Sequence, residues 1–184
     1  AEQTGQIIEI GEQVLRKACI DTKRWVSQGL FTGRVAVNIS VKQFELPDLD
    51  DRINRILSEV GLSPLHLECE ITDGTLMEDP ENGLRMMSRL RERGIHLALD
   101  DFGTGYSSLA YLKRFPLNTL KIDKAFIDDI AKSSVDRHMA AAIINIAHNL
   151  GLKVVAEGVE EEEQLNILRR YDCEMLQGLS LIHI

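Results

Sequence analysis

The hydrophobic positions of the chain follow two alternating patterns. Short runs rich in Val, Ile and Leu are typical of buried strands, and between them apolar residues recur at spacings of three and four, as on one face of a helix. The short runs predict six strands, the last of them with the weakest pattern: Val35–Ser40, Leu67–Thr72, Ile95–Asp101, Thr119–Asp123, Lys153–Val159 and Glu174–Leu179.

Helical patterns separate these runs along the chain. Gly61, Gly94 and Gly151 each follow a helical pattern directly, at the position of a C-cap glycine. The repeated helix–strand order predicts an α/β fold with a parallel sheet and helical crossovers. No linker, repeat or low-complexity segment interrupts this order, so we expect a single domain over residues 1–184.

Polar side chains follow the predicted strands at their C-terminal ends. Because side chains alternate between the two faces of a strand, five strands place a polar group on one face near that end. Active sites of parallel α/β proteins form at this end of the sheet. A single polar residue at a strand end is equally consistent with a cap of the next helix. Five of them at the same level of the sheet favour an active site. The set comprises Asn38, Glu70, Asp100, Asp101, Lys121, Asp123 and Glu157.

The segment DDFGTGYSSL at 100–109 carries the strongest chemical signal. Its adjacent carboxylates end an apolar run, where they are costly unless a cation binds. Oxygen ligands without a His/Cys cluster favour Mg²⁺ or Mn²⁺ over zinc. A solvated, aspartate-rich turn after a strand is the alternative interpretation. The following loop offers glycines for a sharp turn and hydroxyls for a ligand: Gly103, Thr104, Gly105, Ser107 and Ser108.

Two-metal carboxylate sites stabilise the attacking and leaving oxygens of a phosphodiester displacement. Lys121 would then hold the nucleophilic water or neutralise phosphate charge. The net charge of −8, without a basic tract, argues against a nucleic-acid polymer or an anionic lipid surface as partner. It leaves room for a small phosphate ligand, because bound metals reverse the local charge.

Two further observations bear on the compartment. No apolar run approaches the roughly 18 residues of a membrane span. The cysteines, Cys19, Cys69 and Cys173, are odd in number and scattered, so we expect reduced and mostly buried thiols. Both favour a cytoplasmic protein.

Six short motifs carry a family resemblance, and they occur in the order VNIS (37–40), ECEIT (68–72), DDFGTGYSSL (100–109), LKID (120–123), AEGVE (156–160) and QG (177–178). Together they resemble the EAL domain of bacterial cyclic di-GMP phosphodiesterases, over nearly the whole chain. The resemblance implies a TIM-like barrel that hydrolyses cyclic di-GMP to pGpG with Mg²⁺ or Mn²⁺.

The resemblance also implies roles for single residues. Lys121 would contact the water nucleophile, and Glu157 would be a further acid at the two-metal centre. The metal ligands would be Asn38, Glu70, Asp100 and Asp101. The family's mobile loop, which couples metal binding to dimerisation, would comprise Phe102, Gly103, Thr104, Gly105, Tyr106, Ser107 and Ser108.

The remaining candidates lie around this centre. Gln177 would face the site, Asp123 belongs to the strand-end set, and Asp73 stands where the family usually has a Glu that steadies the mobile loop. Glu160 closes the AEGVE motif. It is equally consistent with the first turn of a helix, where carboxylates favour the helix dipole.

The chain also departs from the family pattern. The Glu-Ala-Leu motif itself is absent, so we expect an N-terminally truncated domain without the N-terminal strands, one metal-binding Glu and one phosphate-binding Arg. The tail LSLIHI at 179–184 is atypical, as a cloning product would be. With about six of eight strands, the fold expected is an incomplete TIM-like (β/α) barrel.

Three functional expectations follow. The fragment would have little or no phosphodiesterase activity, and exposed strand edges or the mobile loop would make it a homodimer. The alternative is a non-catalytic module that binds cyclic di-GMP or only dimerises. Another metal-dependent barrel enzyme, of enolase type, is disfavoured by the DDFGTGYSS and AEGVE motifs.

Two bulky apolar residues, Trp25 and Met139, belong to helical stripes, and we expect them to face the core. The five histidines share no ligand spacing and are expected to be structural or exposed: His66, His96, His138, His148 and His183.

Overall fold

The computed structural model describes residues 6–103 and 109–178, and within them it contains six strands and eight α-helices. The strands are β1 Val35–Asn38, β2 Leu67–Thr72, β3 His96–Phe102, β4 Thr119–Ile122, β5 Lys153–Glu157 and β6 Met175–Gln177. The helices are α1 Gln6–Ser27, α2 Val41–Phe44, α3 Leu49–Val60, α4 Asp73–Glu78, α5 Pro80–Glu92, α6 Leu109–Leu112, α7 Ser134–Asn149 and α8 Glu162–Arg170.

The six strands are parallel and follow chain order in the sheet, from β1 to β6. Helices fall between successive strands, which is the arrangement of a (β/α) barrel. A closed barrel of this kind has eight strands. The predicted fold class, an incomplete TIM-like barrel with about six parallel strands, is therefore confirmed.

The described residues divide into two compact units. The first lies within residues 1–71, 75–97 and 114–116 and contains the parallel pair β1–β2 with α1, α3 and α5. The second lies within residues 72–74, 98–113 and 117–184 and contains most of β3 with β4, β5 and β6.

In the first unit, α1 packs on α3 and β1, and α3 packs on α5. Leu15 of α1 and Ile53 of α3 are buried on the contacting faces, as the helical periodicity requires. Asp50, in the first turn of α3, is also buried and accepts hydrogen bonds from Arg93 at the end of α5. An ion pair thus accompanies the apolar contact between these helices.

In the second unit, β4 is buried along its whole length, and α7 packs over β4 and β5. The register pairs Lys121 with Val155 and Glu157 with Gln177. These pairings bring the C-terminal ends of β4, β5 and β6 to one edge of the sheet.

Strand ends differ from the predicted ones where a cap or a turn intervenes. β1 ends at Asn38 because Ser40 is the N-cap of α2, in a capping box with Gln43. β5 ends at Glu157 because Gly158 has φ +69°, a left-handed conformation that stops the strand. The C-cap glycines Gly61, Gly94 and Gly151 all have positive φ, which confirms their prediction.

Two core predictions are wrong and one is confirmed. Trp25 is 40% exposed, with its ring edge-on to Phe31, and Met139 is 46% exposed, so the core encloses neither side chain. The three cysteines are buried and free, as predicted, and burial raises the pKa of Cys69 to about 12. No helix within residues 6–103 and 109–178 is both long and apolar enough to cross a bilayer.

Candidate metal centre and active site

A buried lysine lies between two carboxylates at the strand ends of the second unit. Lys121 Nζ is 3.0 Å from Asp100 Oδ1 and 2.6 Å from Glu157 Oε1. Lys121 is only 4% exposed. A buried ammonium needs such partners, because an unpaired charge away from water is strongly disfavoured.

The sheet register explains why these three residues meet. Leu99 pairs with Leu120, so Asp100 and Lys121 are the next residues along two neighbouring strands. Side chains at matching positions of neighbouring strands point to the same face. Glu157 reaches the same ammonium from the end of β5, two residues beyond the partner of Lys121.

Asp101 departs from strand alternation. The β3–β4 register shifts between Leu99 and Phe102, so that two residues of β3 lie opposite Lys121 alone. Asp101 has φ +55°, the left-handed conformation, which Asp tolerates better than most residues. This register shift is a β-bulge. It moves the Asp101 side chain away from the strand face opposite Asp100 and turns it toward Asp100.

The bulge completes a cluster of three carboxylates. Asp100, Asp101 and Glu157 each offer an oxygen, and these oxygens lie within 4.8 Å of one another; we call this set the carboxylate cluster. Burial, followed by the negative charges of Asp100, Asp123 and Glu157, raises the pKa of Asp101 above its ordinary value. A divalent cation would offset the repulsion between these carboxylates, because carboxylate oxygens are its preferred ligands.

Asp123 lies beside the carboxylate cluster and begins a short 3₁₀ turn, Lys124–Phe126. Its Oδ1 accepts a hydrogen bond from the Ala125 amide at 2.8 Å. The side chains of Asp101 and Asp123 also share a hydrogen bond, which contributes to the raised pKa of Asp101. Asp123 therefore connects the turn to the cluster.

A cleft of about 290 Å³ opens next to Glu157. The Lys124 ammonium crosses its rim to Glu160, at 2.8 Å, and this hydrogen bond raises the pKa of Lys124. The cleft therefore combines acidic, basic and amide groups beside the carboxylate cluster. Its lining residues are Lys124, Glu157, Gly158, Glu160, Gln177 and Gly178.

The first unit holds the two other proposed metal ligands. Asn38 and Glu70 occupy paired register positions at the ends of β1 and β2. Glu70 is buried, and its backbone carbonyl accepts a hydrogen bond from the Ile39 amide at 2.9 Å. The two side chains are thus neighbours on adjacent strands.

The other sequence candidates are placed as follows. Asp73 begins α4 and is 2% exposed, while Phe102 is buried at the end of β3. Gly103 follows with φ +98°. The rest of the predicted mobile loop lies outside the described residues: Thr104, Gly105, Tyr106, Ser107 and Ser108.

Sequence reasoning overlooked two residues of the 3₁₀ turn. The Phe126 ring packs against Gly103, and the Lys124 stem packs against Gly158. Lys124 is three residues after Lys121, and Gly158 directly follows Glu157. In the sequence, the only indication of these contacts was that both glycines lie close to candidate acids.

Comparison with known proteins identifies the family. The sequence model of the EAL domain matches residues 1–183, so the chain belongs to the EAL domain family. The bifunctional diguanylate cyclase/cyclic di-GMP phosphodiesterase MucR of Pseudomonas aeruginosa is 44% identical over 181 residues, which are 98% of this chain and 26% of that protein. The chain spans about a quarter of the length of the curated relatives it matches.

Solved structures agree with this assignment. The PaMucR phosphodiesterase, in complex with c-di-GMP, matches with a TM-score of 0.95 at 44% identity, over 98% of this chain and 73% of that chain. Klebsiella pneumoniae BlrP1, in a manganese and cy-diGMP complex, matches with a TM-score of 0.85 at 27% identity, over 95% of this chain and 44% of that chain.

Proposed function

We propose that this EAL domain uses a divalent cation to hydrolyse one phosphodiester bond of cyclic di-GMP, giving pGpG. The observation that carries the proposal is the placement of Lys121 between Asp100 and Glu157, with Asp101 turned toward them by the bulge. Two similar solved structures, those of PaMucR and BlrP1, are complexes with cyclic di-GMP, which supports cyclic di-GMP as the substrate.

The carboxylate cluster fits Mg²⁺ or Mn²⁺. Its donors are oxygens, and in the described part of the chain it includes no histidine or cysteine. Asp100 and Asp101 would hold the metal. The family resemblance implies ligand roles for Asn38 and Glu70 of the first unit as well. A bound cation of this kind acidifies a coordinated water and neutralises phosphate charge.

Lys121 and Glu157 would assist the chemistry directly. The Lys121 ammonium donates hydrogen bonds and can orient the attacking water, which forms the new P–O bond. The Glu157 carboxylate can accept the proton that this water loses. The ribose oxygen on the other side of phosphorus would leave as the old P–O bond breaks, and would take up a proton from solvent to become a free hydroxyl of pGpG.

The neighbouring groups would bind and enclose the nucleotide. Gln177 and Glu160 line the cleft beside Glu157, where amide and carboxylate groups can meet a guanine edge. Asp123 would hold Asp101 in place. Asp73 would steady the loop formed by Phe102, Gly103, Thr104, Gly105, Tyr106, Ser107 and Ser108.

Chromatography of cyclic di-GMP after incubation with the protein and Mn²⁺ tests the reaction. Since the sequence predicts little or no activity, we expect pGpG to form only slowly, and its rate of formation to fall at least about 100-fold further in Glu157→Gln, which removes a general base. Substitution of the exposed Glu163 by Gln is the matched control. Equal turnover by Glu157→Gln and wild type would overturn the role of Glu157.

The second candidate function is binding of cyclic di-GMP without turnover. The Lys121 ion pairs favour it, because one ammonium already offsets part of the negative charge of Asp100 and Glu157 without any metal. Calorimetry with cyclic di-GMP separates the two: metal-independent binding without pGpG formation supports this candidate over hydrolysis.

Dimerisation through strand edges is a further part of the proposal. β1 and β6 stand at the two ends of the sheet order, and an exposed edge is a template for pairing with a second chain. Light scattering at low protein concentration tests it. A dimer is expected, and a stable monodisperse monomer would overturn it.

A further inference from the structure

The 3₁₀ turn Lys124–Phe126, which we call the bridging turn, touches both segments that carry the carboxylate cluster. One segment is the end of β3 with Asp101, and the other is the end of β5 with Glu157. Each contact is made over a glycine with positive φ. No other role in the proposed chemistry accounts for both contacts.

The first contact joins Phe126 to Gly103. Gly103 has φ +98°, and a Cβ placed there would lie 2.7 Å from Phe126 Cε2. The ring therefore stands directly against the backbone, two residues beyond Asp101. Only glycine permits both this conformation and this close approach.

The second contact joins Lys124 to Gly158. Gly158 has φ +69° and directly follows Glu157, and a Cβ placed there would collide with Cβ, Cγ and Cδ of Lys124. The Lys124 stem therefore lies across this glycine, while its ammonium reaches Glu160 at 2.8 Å. The apolar stem and the charged head have separate partners, so their contributions can be separated by substitution.

The bridging turn is itself held firmly. Asp123 Oδ1 accepts from the Ala125 amide, and the Ile127 amide donates to the Lys124 carbonyl at 2.8 Å. Ile127 is fully buried below the turn.

Buried Gln164 ties the same region to the loop after β5. Its Nε2 donates to the carbonyls of Ile127 and Asp128, at 3.1 and 3.2 Å. Its Oε1 accepts from the amides of Glu160 and Glu161, at 2.9 and 3.0 Å. The two segments are therefore connected by hydrogen bonds as well as by packing.

From these contacts we propose that the bridging turn is a positioning element of the metal centre. Phe126, acting through Gly103, and Lys124, acting through Gly158, set the spacing between Asp101 and Glu157 for a divalent cation. The inference rests on the proposed function, because it concerns the same site. Residues that orient metal ligands typically change metal affinity by about 10–100-fold when they are substituted.

Calorimetric titration of the full chain with Mn²⁺ alone tests this without relying on turnover. Phe126→Ala removes the cover over Gly103, and Lys124→Ala removes the stem over Gly158. Each is expected to weaken Mn²⁺ binding by about tenfold or more. Lys124→Met keeps the stem and loses the ion pairs of the ammonium with Glu160 and Asp128, so its Mn²⁺ affinity should stay close to that of wild type.

A control separates positioning from general destabilisation. Ile143→Val, in the core of α7, should lower stability by about 1 kcal/mol and leave Mn²⁺ affinity unchanged. If Phe126→Ala does not fold, Phe126→Leu replaces it and should bind Mn²⁺ more weakly than wild type.

The outcomes are distinct. Wild-type affinity in both Phe126→Ala and Lys124→Ala would overturn the positioning role and leave the proposed function standing. An equal loss in Lys124→Met or in Ile143→Val would also overturn it. Absence of Mn²⁺ binding by wild type would overturn the proposed function together with the inference.

Discussion

Lys121 Nζ lies 2.6 Å from Glu157 Oε1, and both side chains are largely removed from water. The same ammonium lies 3.0 Å from Asp100. With Asp101 in the same carboxylate cluster, three carboxylates share one ammonium, an excess of two negative charges. Such an arrangement is favourable only when cations supply the missing positive charge.

Replacement of Lys121 by Met should therefore destabilise the metal-free protein. Asp100 and Glu157 would be left buried without their cation, a loss typically worth about 3–5 kcal/mol. Urea unfolding in the presence of a chelator measures this and requires no turnover. Mn²⁺ should restore part of the loss, because it would replace the ammonium as counter-ion.

Lys153→Met is the matched control, since Lys153 is exposed at the start of β5. Its stability should change by less than about 0.5 kcal/mol. Unchanged stability of Lys121→Met in the chelator would contradict the assignment of Lys121 as the counter-ion of the buried acids.

The left-handed conformation of Asp101 predicts different stabilities for two neutral substitutions. Asp101→Asn keeps a residue that tolerates positive φ, whereas Asp101→Ala does not and should be less stable than Asp101→Asn by about 1 kcal/mol. Both remove the same charge, so their difference reports the backbone conformation together with the side-chain hydrogen bond to Asp123. Thermal unfolding in a chelator compares them, and equal stability would count against the bulge.

The raised pKa of Asp101 makes the effect of this charge depend on pH. The folded state binds the proton more tightly than the unfolded state, so this contribution to stability is present at low pH and is lost as pH rises above the ordinary value of 3.8. Metal-free Asp101→Asn should therefore be more stable than wild type near about pH 7.

This advantage should shrink as pH falls, because wild-type Asp101 then regains its proton. Urea unfolding of both proteins at about pH 7 and about pH 5 gives the two differences. If the stability difference between Asp101→Asn and wild type grew toward low pH, it would contradict a raised pKa of Asp101.

The sequence pattern located the C-terminal ends of all six strands to within two residues, but it gave no sign of the β-bulge at Asp101. Alternation along β3, β4 and β5 grouped Asp100, Lys121 and Glu157, and the structure brings these three together. Strict alternation would put Asp101 on the opposite face. Its approach depends on a register shift that involves two strands, and no periodicity within one strand reveals it.

The contacts of the bridging turn could not be predicted from the sequence either. Phe126 and Gly103 are distant in sequence, and their contact exists only because β3 and β4 pair. Trp25 shows the converse limit, since a helical stripe predicted burial and the side chain is 40% exposed. Periodicity identifies an apolar face and does not identify what covers it.

The ion pair between Asp50 and Arg93 should contribute to the stability of the first unit. The Asp50 side chain is 5% exposed, and Arg93 donates two hydrogen bonds to it. Asp50→Ala should reduce the free energy of unfolding by about 3 kcal/mol, because the arginine loses a buried charged partner.

Asp51 is the comparison, since it pairs with the same arginine but is 66% exposed. Asp51→Ala should cost less than about 1 kcal/mol, as exposed ion pairs do. Urea unfolding measures both, and a loss at Asp51 as large as that at Asp50 would contradict the importance of burial here.

The central claim is that the carboxylate cluster binds a divalent cation and, through it, cyclic di-GMP. Calorimetric titration with cyclic di-GMP tests it most directly, in Ca²⁺ and then in a chelator, for wild type and for the Asp100→Asn/Asp101→Asn double variant. The account predicts that wild type binds cyclic di-GMP in Ca²⁺ but not in the chelator, and that the double variant binds it in neither. Binding that survives the chelator or the double substitution, or no binding by wild type in Ca²⁺, would contradict it.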